Sequence, residues 1–279
     1  MCLSEINNKS TYISNPKVMG ILNITPDSFY DGNKYDETAK ILKRVSVMLD
    51  EGAAIIDIGA YSSRPGAIHI TQKEEERRLL PVVKLIVNEF PDAKLSIDTF
   101  RSEIAKMSVL EGAHIINDIS GGNMDKKMYK TIAQLDVPYI LMHMQGTPQI
   151  MQDSPKYTDV TKDVFNYFQK KIKDLKSFGV KDVTLDVGFG FGKSTEQNYQ
   201  LLRDLSKFKE FNSPLLVGLS RKSMLYKVLD ISPEEALNAT SVAHTLALTN
   251  GASILRVHDV KEAVEVIKIF KQYNQSDQR

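Results

Sequence analysis

Residues 49–66, LDEGAAIIDIGAYSSRPG, contain the unit from which the fold is built. A helical segment ends at Gly52, the apolar run AAIIDIG at 53–59 has the length of a buried strand, and a loop rich in Ser, Pro and Gly follows. Strands of a parallel sheet that is covered on both faces read as continuous apolar runs rather than alternating ones. The stretch therefore predicts a buried parallel strand with the carboxylate of Asp57 near its C-terminal end.

The same unit recurs along the chain, and eight pairs of strand and helix can be drawn. Four helical segments end at a glycine, the residue that most readily takes the left-handed conformation after a helix: Gly52, Gly112, Gly179 and Gly251. The predicted strands cover 17–24, 53–59, 94–98, 114–119, 137–143, 182–187, 214–220 and 253–258. The predicted helices cover 36–51, 72–90, 101–111, 124–135, 158–178, 195–207, 233–250 and 259–272.

Eight consecutive parallel units favour a closed (β/α)8 TIM barrel of the α/β class. An open, doubly wound sheet usually has fewer strands and a glycine-rich first turn, whereas the first turn here is NITPD at 23–27. A chain of 279 residues suits one such barrel. We expect a single domain over residues 1–279, in which residues 1–15 form a loosely ordered extension.

The composition argues against several classes of protein. A formal net charge of +1 with 25% charged residues provides no basic stripe, so we expect no nucleic-acid partner. No segment approaches the roughly 20 apolar residues of a membrane span, and the N-terminal stretch lacks the apolar core of a secretory signal. Cys2 is the one cysteine, which fits a reducing compartment. These features predict a cytoplasmic protein without a membrane partner.

Polar side chains stand where the predicted strands end, which is where barrels of this type carry their active sites. The set comprises Asn23, Asp57, Asp98, Asn117, Asp118, His143, Asp186, Ser220, Arg221, Lys222, Arg256 and His258. Any single Asp, Asn or Ser among them also suits a helix N-cap, worth about 1 kcal/mol. Lys222 and Arg256 argue for more than capping, because the ends of strands seven and eight frequently bind phosphate. We predict a pocket for a polar, anionic substrate.

The segment GFGFGKS at 188–194 is similar to a phosphate-binding P-loop but lacks the first glycine of that motif, since Val187 stands there. Its glycines favour a close approach of the backbone to a flat ligand, which Phe189 or Phe191 would cover.

Two other features are interpreted structurally. His143 has no second ligand at metal-binding spacing, so we interpret it as a packed histidine or as one that supports the residues of a site from behind. The run KEEERR at 73–78 is interpreted as a solvated helix face.

Eight segments together resemble the dihydropteroate synthase family, in order and at the expected strand ends. They are MGILNITPDSFYDG (19–32), DIGAYSSRPGA (57–67), SIDTF (96–100), INDISGG (116–122), LMHMQGTPQ (141–149), LDVGFGFGKS (185–194), VGLSRKSML (217–225) and RVHDV (256–260). The resemblance covers residues 17–270, and NITPDSF and SRKSM are its most specific parts. It implies that 4-aminobenzoate condenses with (7,8-dihydropterin-6-yl)methyl diphosphate to give 7,8-dihydropteroate and diphosphate. It also implies Mg2+, a homodimer and a sulfonamide target.

The resemblance assigns roles to the residues that match the family's motifs. The pterin diphosphate site is implied to contain Ser63, Asp98, Asn117, Asp186, Lys222, Arg256 and His258. The 4-aminobenzoate site is implied to contain Phe29, Ser63, Pro65, Phe191 and Ser223. The residues implied to assist catalysis are Asp98, Lys222, Arg256 and Arg64, with Asn23 as a ligand of Mg2+ and Asp31 on a loop beside the site.

Three positions depart from the family's usual pattern. Tyr61 stands where Glu or Gln is common, Ser63 where Thr is usual, and Val187 where Pro often follows the aspartate. These changes put the shape of the aminobenzoate pocket in doubt rather than the reaction.

Two other functions remain open at this point. Methyl transfer from methyltetrahydrofolate, as in a related group of barrels, would have no use for SRKSM or the TPDSF loop. A noncatalytic pterin-binding relative would have no need of Asn23, Arg64, Asp98 and Lys222.

Overall fold

The computed structural model describes residues 15–24, 34–62, 69–147, 151 and 156–276. Five residues with a predicted role lie outside these ranges: Phe29, Asp31, Ser63, Arg64 and Pro65. The predicted N-terminal extension also lies outside them, except for its last residue.

Eight strands close into one parallel barrel in sequence order, so the predicted (β/α)8 fold is confirmed. They are β1 (Lys17–Asn23), β2 (Ile55–Gly59), β3 (Leu95–Asp98), β4 (Ile115–Asp118), β5 (Tyr139–Met142), β6 (Val183–Asp186), β7 (Leu215–Val217) and β8 (Ile254–Val257). Seven of the strands begin one or two residues later than predicted, and two of these, β5 and β7, begin directly after a proline, Pro138 or Pro214. Proline has no N–H to donate to the neighbouring strand, which explains both starts.

The helices surround the barrel. In the described ranges they are α1 (Lys34–Asp50), α2 (Gln72–Glu89), α3 (Ser102–Leu110), α4 (Met128–Leu135), α5 (Val160–Phe178), α6 (Thr195–Arg203), α7 (Ser223–Leu229), α8 (Leu237–Thr249) and α9 (Val260–Ser276), with a 3-10 helix at Leu205–Phe211. The predicted glycine ends are confirmed, since Gly52, Gly112, Gly179 and Gly251 all have positive φ angles after a helix.

The region after β7 differs from the prediction. Helix α7 was not predicted, and α8 begins at Leu237 rather than at residue 233. The carbonyls of Pro233 and Glu234 accept hydrogen bonds from the Arg221 guanidinium at 3.0 and 2.6 Å. Those carbonyls would bond to later N–H groups in a regular helix, so Arg221 favours a turn there instead.

The interpretation of residues 73–78 as a solvated face is wrong for two of its members. Glu75 and Arg78 are buried on α2. The Glu75 carboxylate accepts a hydrogen bond from Thr99 Oγ1 at 2.6 Å and forms an ion pair with Arg101. A buried charge is tolerated when it is paired and hydrogen-bonded in this way.

The interior of the barrel is filled in layers, because successive side chains of a strand point to opposite sides. The lowest layer is an apolar cluster of Met19, Ile55, Ile115, Ile140, Leu216 and Ile254. The residue two positions further along a strand faces the same side, one layer closer to the C-terminal end. This spacing places Asp57, Asn117 and Arg256 directly above the apolar layer, facing the barrel axis.

None of the helices in the described ranges is long and apolar enough to cross a membrane.

Candidate active site

A buried ion-pair network occupies the centre of the barrel mouth. Arg256 on β8 donates a hydrogen bond from Nε to Asp57 Oδ2 at 2.6 Å and one from Nη2 to Asp98 Oδ2 at 2.8 Å. Asn117 on β4 donates from Nδ2 to the same Asp57 oxygen at 3.0 Å. Four strands thus bring together one cation, two carboxylates and one amide that are up to 199 positions apart in the sequence.

The electrostatics of this network favour a proton or a cation near Asp98. Burial raises the pKa of Asp98 to about 7, with a further upward contribution from Asp57, Glu75 and Asp118, although Arg256 lowers it. Burial disfavours the charge of Arg256, but the carboxylates of Asp57 and Asp98 raise its pKa. Asp98 therefore changes its charge near neutral pH, whereas Arg256 remains a cation.

Asp186 stands at the end of β6 and is buried. Its Oδ1 accepts a hydrogen bond from the Gly188 N–H at 2.8 Å. Burial raises its pKa, while the nearby charges of Lys222, Arg256 and Lys193 lower it. These three cations show that Asp186 shares the electrostatic environment of the mouth.

The glycines after Asp186 allow close packing against the chain that follows β5. Gly188 has a φ of +68°, and a Cβ there would overlap the carbonyl oxygen of His143. A Cβ at Gly192 would lie 2.7 Å from the carbonyl oxygen of Gln145. Protein backbone occupies the space where a side chain of these two residues would lie, so packing within the protein already requires glycine at both positions.

Lys193 holds this loop together and was not predicted to do so. It is 4% exposed, and its Nζ donates hydrogen bonds to the carbonyls of Gly188 at 2.8 Å, Phe191 at 3.0 Å and His143 at 3.3 Å. Burial lowers its pKa to about 7, while Asp186 raises it. A lysine that follows three alternating glycines was the signal that could have indicated this anchor.

The two phenylalanines of the loop have different positions. Phe189 is buried in the main hydrophobic core, so it cannot cover a ligand at the mouth. Phe191 is only partly buried, and Lys222 Nζ lies 4.4 Å from the centre of its ring. Of the two predicted candidates, the structure favours Phe191. Ser223 follows Lys222 as the first residue of α7.

An apolar cluster forms one side of the mouth. Its buried members are Tyr61, Phe100, Ile119, Met142, Met144 and Met151, and Phe191 packs against them. The Tyr61 ring meets Phe100 edge-on with centroids 4.9 Å apart, and its hydroxyl lies 3.2 Å from His69 Nδ1. The tyrosine that departs from the family's pattern is therefore part of an aromatic wall, while Val187 is buried in the main core.

His258 and Asn23 complete the rim. The Nδ1 of His258 lies 3.0 Å from Ser220 Oγ, and burial together with the charge of Arg256 lowers the pKa of His258 to about 4. His258 is thus neutral at neutral pH. Asn23 is exposed at the end of β1, and Gly59 separates it from Asp98 across the sheet.

Three members of the predicted polar set do not face the mouth. Asp118 accepts hydrogen bonds from Tyr139 Oη and the N–H groups of Ser120 and Gly122, and Arg221 pairs with Asp259. His143 is buried edge-on against Tyr167 with ring centroids 4.8 Å apart, so its interpretation as a packed histidine is confirmed. Asp118 and Arg221 fit a structural role, because hydrogen bonds and an ion pair within the protein use their charges.

Within the described ranges, no group of three His, Cys, Asp or Glu side chains is placed to hold a metal ion. The exposed amide of Asn23 offers one oxygen ligand at the rim. Mg2+ is often bound by one or two protein ligands together with water and substrate phosphates. The rim therefore fits a magnesium ion that arrives with a phosphorylated substrate, and it does not resemble a site made of protein ligands alone.

The family model described as "Pterin binding enzyme" matches residues 19–258. Among curated proteins, the dihydropteroate synthase of Escherichia coli strain K12 is 44% identical over 261 residues, which cover 93% of this chain and 92% of that protein. The dihydropteroate synthase of Haemophilus influenzae is 41% identical over 267 residues, which cover 95% and 96%.

Solved structures show the same similarity. A Yersinia pestis dihydropteroate synthase in a sulfonamide drug complex superposes with a TM-score of 0.88 at 42% identity, covering 94% of this chain and 96% of that chain. A Xanthomonas albilineans dihydropteroate synthase in complex with 7,8-dihydropteroate gives 0.83 at 34% identity, covering 94% and 95%.

Proposed function

The chain belongs to the dihydropteroate synthase family of pterin-binding enzymes, and we propose that the polar side chains at its barrel mouth bind the pterin and assist diphosphate departure. The enzyme condenses (7,8-dihydropterin-6-yl)methyl diphosphate with 4-aminobenzoate in folate synthesis. The observation that supports the site most strongly is the Arg256 guanidinium held between Asp57 and Asp98, with Asp186 and Lys222 nearby.

Asp186, Asn117 and Lys222 are proposed to bind the pterin ring. A carboxylate can accept two parallel N–H donors, so Asp186 matches the 2-amino group and the adjacent ring nitrogen. Asn117 adds an amide beside it, and Lys222 is proposed to donate to the pterin carbonyl. Such paired contacts would fix the plane of the ring.

Asp98 is proposed to stabilise the transition state. When the C–O bond breaks, its electron pair leaves with diphosphate, and positive charge spreads over the pterin. A carboxylate beside the ring stabilises that charge more than it stabilises the neutral ground state, and this difference is catalytic. The aminobenzoate nitrogen then forms the new C–N bond and releases a proton.

Arg256, His258 and Arg64 are proposed to hold the diphosphate, although Arg64 lies outside the described residues. Arg256 uses two of its five N–H groups in the hydrogen bonds to Asp57 and Asp98. Neutral His258 would act as a hydrogen-bond donor rather than as a cation. Asn23 would supply an oxygen to Mg2+, which when bound would neutralise negative charge on the leaving group.

Phe191 and Ser223 are proposed to border the aminobenzoate, beside Lys222. The other predicted wall residues, Phe29, Ser63 and Pro65, lie outside the described residues. Closure of the mouth over both substrates would exclude water from the reactive cation.

A homodimer is also proposed, and exposed apolar side chains on adjacent helices support it. Val228 and Leu229 on α7 and Val242 and Leu246 on α8 are each about half exposed or more. Apolar residues that cluster on a surface are typical of protein interfaces.

The cytoplasmic location stays a prediction, supported by the single cysteine of the sequence.

The reaction itself is tested by a coupled assay of diphosphate release. We expect release only when pterin diphosphate and 4-aminobenzoate are both present, with a higher rate in Mg2+ than in EDTA and inhibition by a sulfonamide. Equal rates in EDTA would contradict the magnesium proposal. Methyl transfer from methyltetrahydrofolate without diphosphate release would contradict the reaction.

Substitution Asp186→Ala tests the pterin site. We expect pterin binding to weaken by about 2–5 kcal/mol, because N–H donors of the ring would be left without an acceptor. Isothermal titration calorimetry with a pterin measures the change. Asp182→Ala, which removes a carboxylate next to the opposite end of β6, serves as the control and should retain wild-type affinity. Equal affinities for both variants would remove Asp186 from the site.

Substitution Leu246→Glu tests the dimer. A charge in an apolar interface is costly to bury, so we expect the variant to sediment as a monomer at concentrations where the wild type is a dimer. Leu110→Glu introduces the same charge at an exposed position on α3 and should leave the dimer intact. A monomeric wild type, or an unchanged dimer in Leu246→Glu, would count against this interface.

A further inference from the structure

The carboxylate of Asp57 is the most deeply buried part of the ion-pair network. The Asp57 side chain is 0% exposed, whereas those of Asp98 and Arg256 are 15% and 20% exposed. Asp57 lies directly above Ile55 of the apolar layer and thus beneath the groups that open into the mouth. This position places Asp57 beneath the proposed substrate site and in contact with Asn117 and Arg256, which are proposed to bind the substrate.

The bond from Asn117 fixes the rotation of that amide. Asn117 donates from Nδ2 to Asp57 Oδ2 at 3.0 Å. An amide has one acceptor oxygen and two N–H donors, and one of those donors is used here. The amide oxygen must then point away from Asp57, because the two groups share one plane. Asp57 therefore determines which face of Asn117 the pterin meets.

The bond from Arg256 fixes the guanidinium in the same way. Its Nε donates to Asp57 at 2.6 Å, and its Nη2 donates to Asp98 at 2.8 Å, so two carboxylates hold one planar group from two sides. The same Asp57 oxygen accepts from both Asn117 and Arg256. A displacement of Asp57 would therefore move the pterin-binding amide and the proposed diphosphate-binding cation together.

We infer that Asp57 is a positioning residue of the reaction, which orients Asn117 and Arg256 for the pterin diphosphate without contacting the reacting atoms. This inference rests on the proposed roles of Asn117 and Arg256. It concerns the pterin subsite, because the hydrogen bonds that Asp57 accepts come from Asn117 and Arg256, which are proposed to bind the pterin diphosphate.

Asp57 also influences the charge of Asp98. The groups that act on Asp98 are Arg256 on β8, Asp57 on β2, Glu75 on α2 and Asp118 on β4. Burial raises the pKa of Asp98 most, the negative charge of Asp57 raises it further, and Arg256 opposes both. Without the charge of Asp57, Asp98 would lose its proton at a lower pH. The charge of Asp118 raises the pKa of Asp98 as well, so the fall in kcat/KM at high pH, and not the pH shift alone, distinguishes positioning from a purely structural role.

Substitution Asp57→Asn tests the inference, because it keeps the shape of the side chain and removes its charge. At pH 8.5 we expect kcat/KM for pterin diphosphate to fall about 100-fold, which is the effect of displacing catalytic groups by about 1 Å. The KM for 4-aminobenzoate should stay within about twofold of the wild-type value. The acid limb of kcat/KM should move to lower pH than in the wild type. The ionisation of the substrate is the same for both proteins and cannot produce this difference.

Asp118→Asn is the matched control. Asp118 is also fully buried, at the end of β4, but its hydrogen-bond partners lie away from the mouth. We expect this variant to lose stability in urea and to keep the wild-type kcat/KM for pterin diphosphate at pH 8.5. A similar fall in kcat/KM for pterin diphosphate in both variants would show that general destabilisation explains the effect, and would overturn the inference.

A folded Asp57→Asn enzyme with wild-type kcat/KM and an unmoved acid limb would also overturn the inference. The proposed function would still stand in that case if the wild type releases diphosphate.

If Asp57→Asn does not fold, the side-chain amide signals of Asn117 in the wild type provide the test by NMR. A fixed Asn117 should show one Nδ2 proton protected from exchange with and without bound pterin. Rapid exchange of both protons would contradict the fixed orientation.

Discussion

The structure of the mouth depends on one buried cation between two carboxylates. Arg256 reaches from β8 to Asp57 on β2 and Asp98 on β3, and so links the strands on both sides of β1. Buried ion pairs contribute little net stability, because desolvation offsets their attraction, and apolar replacements are often as stable. Stability alone therefore does not explain three charges at this depth. The proposed pterin diphosphate, which has an anionic tail and develops positive charge in its ring, would account for their geometry.

Much of the fold could be predicted because each strand has its own local signal. Apolar runs, terminal glycines and prolines recur in the sequence and act locally, and they gave the eight strands in their order. Burial of Glu75 could not be predicted, because it depends on Thr99 and Arg101, which are distant in sequence. The late start of α8 likewise depends on a contact from Arg221 that no local pattern contains.

The sequence predicted which polar residues stand at the strand ends, but it did not predict which of their side chains point into the mouth. Asp57, Asp98, Asn117, Asp186, Lys222 and Arg256 share the environment of the mouth, whereas Asp118 adjoins Asn117 and so faces the opposite side of its strand. The anchoring role of Lys193 was hidden because its partners are backbone carbonyls, which every residue has. The comparisons with dihydropteroate synthases favour the condensation over methyl transfer or a noncatalytic role.

The most direct test of the account is the stability of Arg256→Met in urea at pH 6 and pH 8. Arg256 lowers the pKa of Asp98, so its loss should raise that pKa above about 7 in the folded state. When folding raises the pKa of a carboxyl, the free energy of unfolding of the protein decreases as the pH rises towards that raised pKa. We predict that the variant is less stable than the wild type by about 3–5 kcal/mol at pH 8 and by less at pH 6. A loss below about 1 kcal/mol at both pH values, as for the exposed pair removed by Lys181→Met, would contradict the account.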